Sequence, residues 1–372
     1  GPGDKIHGIF GAQFEKTLSF NKSYNLTGGV PGGIRGDLQN ASMSYNVFTE
    51  WKFTLPDQWV LTAGGSLNFT EFGITDMLAN SANPTHANAG GTRSFPAVFM
   101  PRLSLSKMLG DHVSVYADVS RGYTPPVIGN VVIAATGKVN TGLKPESGFQ
   151  YEIGTKGDLF NRKLSYQLAL FDLDIRNKFV TQTVTGPPLY TFYVNAGRQQ
   201  DIGAELSLSY LLIDNKDNAV TLLRPFATYT WSNFKYKDFR SDNNHNANTV
   251  DYSNNWVAGV AKNVLNLGVD LQTKPGFYAY LSYRYNGAVP YTFDNLHYAK
   301  SYSLLNGKIG YRNQLGAHFS LDVYAGADNM TSSTYYTFLF YSGNLAGTTD
   351  PHFIPMPYKA TGYGGAKLAY IF

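Results

Sequence analysis

Residues 143–180 read LKPESGFQYEIGTKGDLFNRKLSYQLALFDLDIRNKFV, and after a break at Gly186-Pro187-Pro188, residues 189–210 read LYTFYVNAGRQQDIGAELSLSY. Side chains alternate faces along a β-strand. In the last segment one parity carries Ile202, Ala204, Leu206, Leu208 and Tyr210, and the other carries Gly203, Glu205, Ser207 and Ser209. One face wants hydrocarbon or core, and the other tolerates water. A tight turn at Leu159-Phe160-Asn161-Arg162-Lys163 links the first two strands, and Gly186 to Leu189 links the second to the third, which makes a meander. The second strand breaks its own pattern. Leu164, Tyr166, Leu168 and Leu170 share a parity, whereas Phe171, Leu173 and Ile175 take the opposite one while Asp172, Asp174 and Arg176 turn polar. Either a β-bulge resets the phase near Leu170, or the strand rises past a bilayer there and its inner face packs on something.

Working outward, the same alternation recurs along the whole chain, which has 372 residues, 38 Gly, 27 Tyr, 24 Phe, no Cys and only 15% charged residues. That profile is unusual for a soluble enzyme of this size. No window approaches 18 consecutive apolar residues, so hydropathy excludes a transmembrane helix. A lipid-facing β-barrel satisfies both facts, because its strands show half their residues to lipid and half to a polar lumen. A soluble β-sandwich or barrel is the other reading open at this point. The net charge of +4 is compatible with anionic ligands or lipopolysaccharide, although most basic residues read as solvated strand ends. No signal peptide is legible, and Gly1-Pro2-Gly3-Asp4 reads as a cleavage scar or a turn exposed by truncation.

Strand one is expected over 4–20, followed by a Gly-rich loop over 21–37 and a second strand over 38–54. Leu55-Pro56-Asp57 turns the chain into a third strand, which gathers Trp51, Phe53 and Trp59 at one turn. There an aromatic girdle would meet a membrane interface. A long polar loop over 74–94 precedes strands at 95–108 and 112–123. After the loop at 124–147 and the opening stretch come a strand at 219–235, the pairs 256–273 with 276–291 and 300–313 with 317–329, and a final strand at 358–372. Short connections near Pro56, Gly110, Asn161, Asn215, Pro275 and Leu315 alternate with longer ones near Gly29, Ala82, Ala134, Pro187, Asn243, Asn295 and Gly343. About fourteen strands result, an even number, with short turns on one side and long loops on the other.

The C-terminus, GYGGAKLAYIF over 362–372, places Gly364, Ala366, Leu368, Tyr370 and Phe372 on one face. It resembles the signal by which outer-membrane barrels are recognised by the barrel assembly machinery. The opening stretch makes the resemblance specific. Asn140-Thr141-Gly142-Leu143-Lys144-Pro145-Glu146, Tyr151-Glu152-Ile153-Gly154-Thr155-Lys156-Gly157, Ala169, Phe171 and Ile175-Arg176-Asn177 are followed by Tyr193-Val194-Asn195-Ala196-Gly197 with Gly203-Ala204-Glu205. Ala327-Asp328-Asn329-Met330 with Tyr335-Tyr336 completes the set. Together they resemble the C-terminal barrel part of a TonB-dependent outer-membrane receptor of the siderophore-receptor kind. The resemblance implies an all-β transmembrane antiparallel barrel of about 22 strands in the whole receptor, of which residues 1–372 would supply about fourteen, beginning near the ninth. The N-terminal plug and first strands are not matched; an independently closed fourteen-stranded barrel is the structural alternative.

No catalytic motif is present: no Gly-x-Ser-x-Gly, no His-Glu-x-x-His, no phosphate loop, and no Cys for zinc or nucleophilic work. The seven His are scattered. Arg121-Gly122-Tyr123-Thr124-Pro125-Pro126 stands where haem receptors of the family carry Phe-Arg-Ala-Pro with a nearby His, and this chain has neither. The departure disfavours haem and favours a ferric siderophore, whose planar chelating groups suit Tyr, Phe and Arg walls. Candidate ligand residues are Arg121 and Tyr123, then Tyr291, Phe293 and His297 in one loop, and Tyr335, Tyr336, Phe338 and Tyr341 in another. The resemblance implies a receptor rather than an enzyme, with no cofactor and with iron only as part of the chelate. It implies, as partners, the TonB-ExbB-ExbD complex acting through a plug, outer-membrane lipid and lipopolysaccharide, and no nucleic acid; the location implied is the outer membrane of a Gram-negative bacterium. Receptors for haem, cobalamin or a glycan, and a passive diffusion channel, are the alternatives.

Overall fold

Alternating apolar and polar residues between turn-forming ones fold into hairpins, and in the computed structural model these hairpins join into one antiparallel sheet. The structure describes residues 5–78, 90–133, 138–184, 190–242, 249–339, 353–355 and 359–370. Fourteen strands follow one another in chain order, each hydrogen-bonded to the last. They are β1 (Ile6–Thr27), β2 (Val30–Thr54), β3 (Trp59–Asp76), β4 (Val98–Leu109), β5 (Val113–Thr124), β6 (Glu146–Leu159) and β7 (Leu164–Val184). Then come β8 (Tyr190–Tyr210), β9 (Val220–Asp238), β10 (Asn263–Thr273), β11 (Phe277–Asn286), β12 (Tyr302–Leu315), β13 (Phe319–Asp328) and β14 (Thr361–Tyr370). The sheet is open: among the described residues β1 and β14 each have one neighbour in it. The terminal Phe372 lies outside the described residues.

The first expected long loop is not one. β1 runs on to Thr27 and β2 begins at Val30, so Gly28 and Gly29 alone make the turn, both at positive φ (57° and 82°). Two positive-φ residues build the hairpin turn whose twist matches its strands, and Pro31-Gly32-Gly33 lies within β2. The strand expected from 256 also starts later, at Asn263; 256–262 lies against the end of β9 through a Trp256 to Lys235 bridge, a bond from the Val257 N–H to the Phe234 carbonyl at 3.1 Å and one from the Ser232 N–H to the Lys262 carbonyl at 2.9 Å. Conversely β3 continues to Asp76, and Gly91–Ser94 returns to pair with its end. The 25 residues of β2 extend about 80 Å at ~3.3 Å each, far more than a bilayer's apolar band of ~25 Å.

The phase change in β7 has a clear origin. Leu170 stays in register with Ile153 on one side and Ala204 on the other, and pairing continues unbroken to Arg176. The bulge is at Asn177, at φ 56°, where the register with β8 slips. No bulge resets the pattern at Leu170. Instead the face that carries Leu164 to Leu170 becomes polar at Asp172, Asp174 and Arg176, and the opposite face becomes apolar at Phe171, Leu173 and Ile175. The two faces exchange character along one unbroken stretch of ladder, and on the newly apolar face the Phe171 ring meets Phe234 edge-on at 6.1 Å.

Register assigns the two faces. Opposed residues share a side, and Leu61, Leu105, Ala117, Ile153, Leu170, Ala204 and Trp231 form one row across seven strands. The other face holds the ion pairs Arg102–Asp118, Arg224–Asp270 and Arg312–Asp322, and the Tyr116 hydroxyl donates to Glu152 at 2.7 Å. Such exposed pairs stabilise by only ~0–1 kcal/mol each, so their significance is that this face is wet. Trp51, Phe53 and Trp59 all lie on the apolar face beside the β2–β3 turn, with the Lys107 ammonium 4.8 Å over the Trp59 ring.

Candidate functional site

The long-loop end of the sheet is built by the residues that carry the sequence motifs. Asn177, displaced by the bulge, leaves its carbonyl and the N–H of Phe179 outside the ladder. The Asn195 side chain donates to the Asn177 carbonyl at 2.7 Å and to the Lys144 carbonyl at 2.8 Å, while its oxygen accepts from the Lys144 N–H at 2.7 Å. The Glu146 carboxylate accepts from the Phe179 N–H. Residues far apart in sequence thus close one junction between β6, β7 and β8, and Leu143 is driven beneath it, 1% exposed.

Leu143 belongs to a buried cluster with Phe72, Phe95 and Val131, the last on the short helix Ile128–Val131. Arg93 lies 5.2 Å over the Phe95 ring and donates to the carbonyls of Thr141 and Leu143. The described parts of the β5–β6 connection, Val131 and Leu143, are therefore packed against Phe72 of β3 and Phe95. At this end of the sheet a cavity of about 340 Å³ is lined by Ser120, Arg121, Tyr123, Thr124, Gln150 and Leu173.

A second cap joins the β9–β10 and β11–β12 connections. Tyr236 and Phe239 stack with centroids 4.3 Å apart, and Phe293 inserts from the other loop, 5.9 Å from Tyr236, 5.1 Å from Phe239 and 5.7 Å from Tyr252. Asn295, at φ 57°, accepts from the Trp256 N–H at 2.6 Å and returns a bond to the Trp256 carbonyl at 2.9 Å. Asp294 accepts from the Thr292 hydroxyl at 2.5 Å and the Leu296 N–H at 3.0 Å. Partial burial pushes its carboxyl up, but these donors and neighbouring His297 outweigh that and hold it below its ordinary value. Hydrogen bonds from Ser253 and the charge of Arg240 hold Asp251 below its own. On the hairpin so fixed, Tyr291 and His297 stack at 5.9 Å and 24°.

The sequence candidates therefore divide. Tyr291, Phe293 and His297 share one cap, in which Phe293 is an anchor of packing. Tyr335 meets Tyr302 at 5.4 Å, above a turn that Asn329 closes through bonds to Ser333 (2.8 and 2.9 Å) and Asn306 (2.8 Å). Tyr336 and Phe338 lie on the strand Tyr336–Leu339, paired with Phe353–Pro355; Tyr341 lies outside the described residues. Arg121 and Tyr123 stand apart. Register with Phe149 and Ser147 puts both on the outward face, where the Arg121 guanidinium sits 5.8 Å over the Phe149 ring. Sequence reasoning missed Tyr236, Phe239, Tyr252 and Tyr302; for the first three the aromatic density on either side of residues 243–248 was the available signal. Among the described residues no three His, Asp or Glu gather in a metal-holding arrangement.

A family model described as "TonB dependent receptor-like, beta-barrel" matches residues 2–330. Among solved structures, the ferric yersiniabactin uptake receptor FyuA from Yersinia pestis is similar at TM-score 0.70 and 16% identity, covering 100% of this chain and 52% of its own. The siderophore receptor PiuA from Acinetobacter baumannii is similar at TM-score 0.74 and 16% identity, covering 98% and 54%. A copper transporter, OprC, is similar at TM-score 0.70 and 15% identity, covering 99% and 54%. The chain thus spans about half the length of these structures, and at such identities the likeness is one of fold.

Proposed function

The chain belongs to the TonB-dependent receptor β-barrel family, and on that premise we propose that the protein is an outer-membrane receptor that captures a ferric siderophore and imports it with energy supplied through TonB. The observation that carries the cargo is the Tyr291–His297 stack presented on a cap rigidified by Phe293, with the Tyr302–Tyr335 pair at the same end of the sheet. Flat aromatic and phenolic surfaces held above a polar lumen suit a planar, oxygen-rich metal chelate. Arg121 and Tyr123 face outward and are left out of the proposed ligand set, which is Tyr291, His297, Tyr335, Tyr336 and Phe338. In this reading Phe293 positions the first two.

The full-length protein in detergent, titrated with ferric catecholate, hydroxamate and phenolate complexes and with haem and cobalamin, tests the cargo by quenching of tryptophan fluorescence. Saturable binding of one ferric chelate, weakened at least tenfold by Tyr291→Ala with Tyr335→Ala, is expected. Binding of haem or cobalamin instead would overturn the cargo. Iron-limited growth that survives loss of TonB, with steady conductance in planar bilayers, would replace the receptor by a passive channel.

A further inference from the structure

We propose that the inward face of β11 to β14 carries a second, weaker site for the cargo, an aromatic and cationic patch selective for anionic ferric chelates, past which the chelate travels from the caps toward the short turns. This rests on the receptor function proposed above, to which it adds the charge of the cargo and its route.

On β12 the even-numbered residues face inward, because Ile309 belongs to the apolar face. Tyr302, which meets Tyr335 at the long-loop end, therefore heads a column that continues through Asn306, Lys308 and Gly310 to Arg312. Lys308 is about 20 Å below Tyr302 at ~3.3 Å per residue, and Arg312 is about 13 Å further on. One line of side chains thus joins the proposed capture site to the far end of the wall.

Midway down this line, the Lys308 ammonium lies 3.9 Å from the centre of the Tyr324 ring and 5.7 Å from that of Tyr278. Tyr280 stands directly opposite Lys308, and the Tyr278 hydroxyl is held by Asp322 at 2.8 Å. Glycines flatten the patch. The Tyr278 ring covers Gly310 and the Tyr363 ring covers Gly326, so closely that an added Cβ would be 2.4 and 2.5 Å from them. A ring pressed onto a glycine lies along the wall rather than across the lumen, and it presents its flat face to whatever passes.

The charge of this wall is also distinctive. Below the caps, the inward cations of β9 to β14 are Arg224, Arg284, Lys308, Arg312 and Lys367, against Asp270, Asp322 and Asp328. Asp270 is taken by Arg224 and Asp322 by Arg312, whereas Lys308 and Arg284 form no ion pair among the described residues. The inward face of β5 to β8 has the opposite balance. There Asp118 and Glu152 are directly opposed, with Asp158 and Glu205 on the same side, and Lys156 is the inward cation. A surface of one sign concentrates ligands of the other, so an anion is turned away from β5 to β8 and drawn to β11 to β14. Aromatic donor rings suit the tyrosine faces, and a phenolate or catecholate oxygen accepts a charge-assisted bond from Lys308. A ferric tris-catecholate, in which three dianionic ligands outweigh the metal, meets both conditions; a neutral ferric trihydroxamate meets neither.

The test uses the full-length protein, in detergent and in iron-starved cells that lack their other iron receptors. Capture is read as the Kd for ferric tris-catecholate from tryptophan quenching, and transit as the maximal uptake rate of the same complex carrying radioactive iron. Lys308→Gln should lower that rate about tenfold, and Lys308→Glu further, while the capture Kd stays within about twofold. Lys308→Arg keeps the charge and should retain the rate; Lys156→Gln, on the other wall, should leave it at the parental value. Heat-modifiable migration on gels reports folding, and if Lys308→Gln loses it, Arg284→Gln supplies the readout, with slower uptake expected. Parental uptake by the charge-removing variants overturns the proposal, as does a Lys308→Arg variant as slow as Lys308→Gln, or a parent that prefers the neutral ferric trihydroxamate. The two readings separate on the same preparations: a parent that captures no ferric chelate strikes the cargo and this site with it, whereas intact capture with uptake indifferent to the charge at 308 strikes this site alone.

Discussion

At the scale of single residues, the motif side chains act as closures of backbone. Asn195 satisfies groups that the bulge at Asn177 has removed from the ladder, and buried or half-buried backbone polar groups must find such partners. Asn195→Ala is expected to destabilise by about 1–3 kcal/mol through the orphaned carbonyls, measured as a lower thermal midpoint in detergent, whereas Arg121→Ala, which removes the ring contact with Phe149 and a bond to the Phe99 carbonyl, should cost less, about 0.5–1 kcal/mol. Glycine serves another purpose on the inward face. The Tyr116 ring lies across Gly154 so closely that an added Cβ would be 2.5 Å from it, and Phe171 covers Gly203 in the same way. Gly154→Val should expel the Tyr116 ring, break its bond to Glu152, and cost about 1–3 kcal/mol as an overpacked site does; an unchanged midpoint would contradict that account.

At the scale of elements, the two-loop cap is a small core in its own right. Phe293 remains 41% exposed, so its truncation to Ala should cost less than the ~3–5 kcal/mol of a fully buried Phe, about 1–3 kcal/mol. Because the loss is local, limited proteolysis should cut 287–301 faster while the sheet's own melting barely moves. The acids of the cap set its pH response. Asp294 and Asp251 have folded-state values below the ordinary carboxylate range. Their contribution is present above the unfolded value of about 3.9 and is lost as pH falls through the lower folded value. The part of cap protection that these two acids supply should therefore be lost only below about pH 4, as read by proteolysis or hydrogen exchange. Asp294→Asn should lose that acid step in part.

For the whole molecule, the decisive feature is that one sheet has a wet side and a greasy side along its full width. Ile309 is 65% exposed and lies on the same face as Leu281 and Val323, whereas Gln272 lies on the face of Asp270 and Arg312. Ile309→Arg should destabilise the inserted barrel by about 2–4 kcal/mol if it sits near the bilayer midplane, and Gln272→Arg by much less. Reversible unfolding in bilayers gives both values, and equal penalties would mean the faces are wrongly assigned.

How far this was legible beforehand follows from the range of the forces involved. Period-2 alternation and turn residues are local, so the all-β class, the alternation of short turns and longer connections beyond β2, the number of strands and the wet and dry parities could be read from residues such as Leu206 and Glu205. Family motifs were legible too, because Asn195 and Glu146 are demanded by a backbone bulge that the chemistry of few residues can serve. Where the connections begin and end was less so: Gly28-Gly29 turns in two residues where Pro31-Gly32-Gly33 suggested a long loop, since a continuing ladder outweighs local punctuation. The position of the bulge at Asn177, the seating of Phe293 among Tyr236, Phe239 and Tyr252, and the outward aim of Arg121 depend on cross-strand register and on contacts between loops about 50 residues apart. Those contacts are set by packing between segments, which no local pattern encodes, and only the tertiary structure decided them.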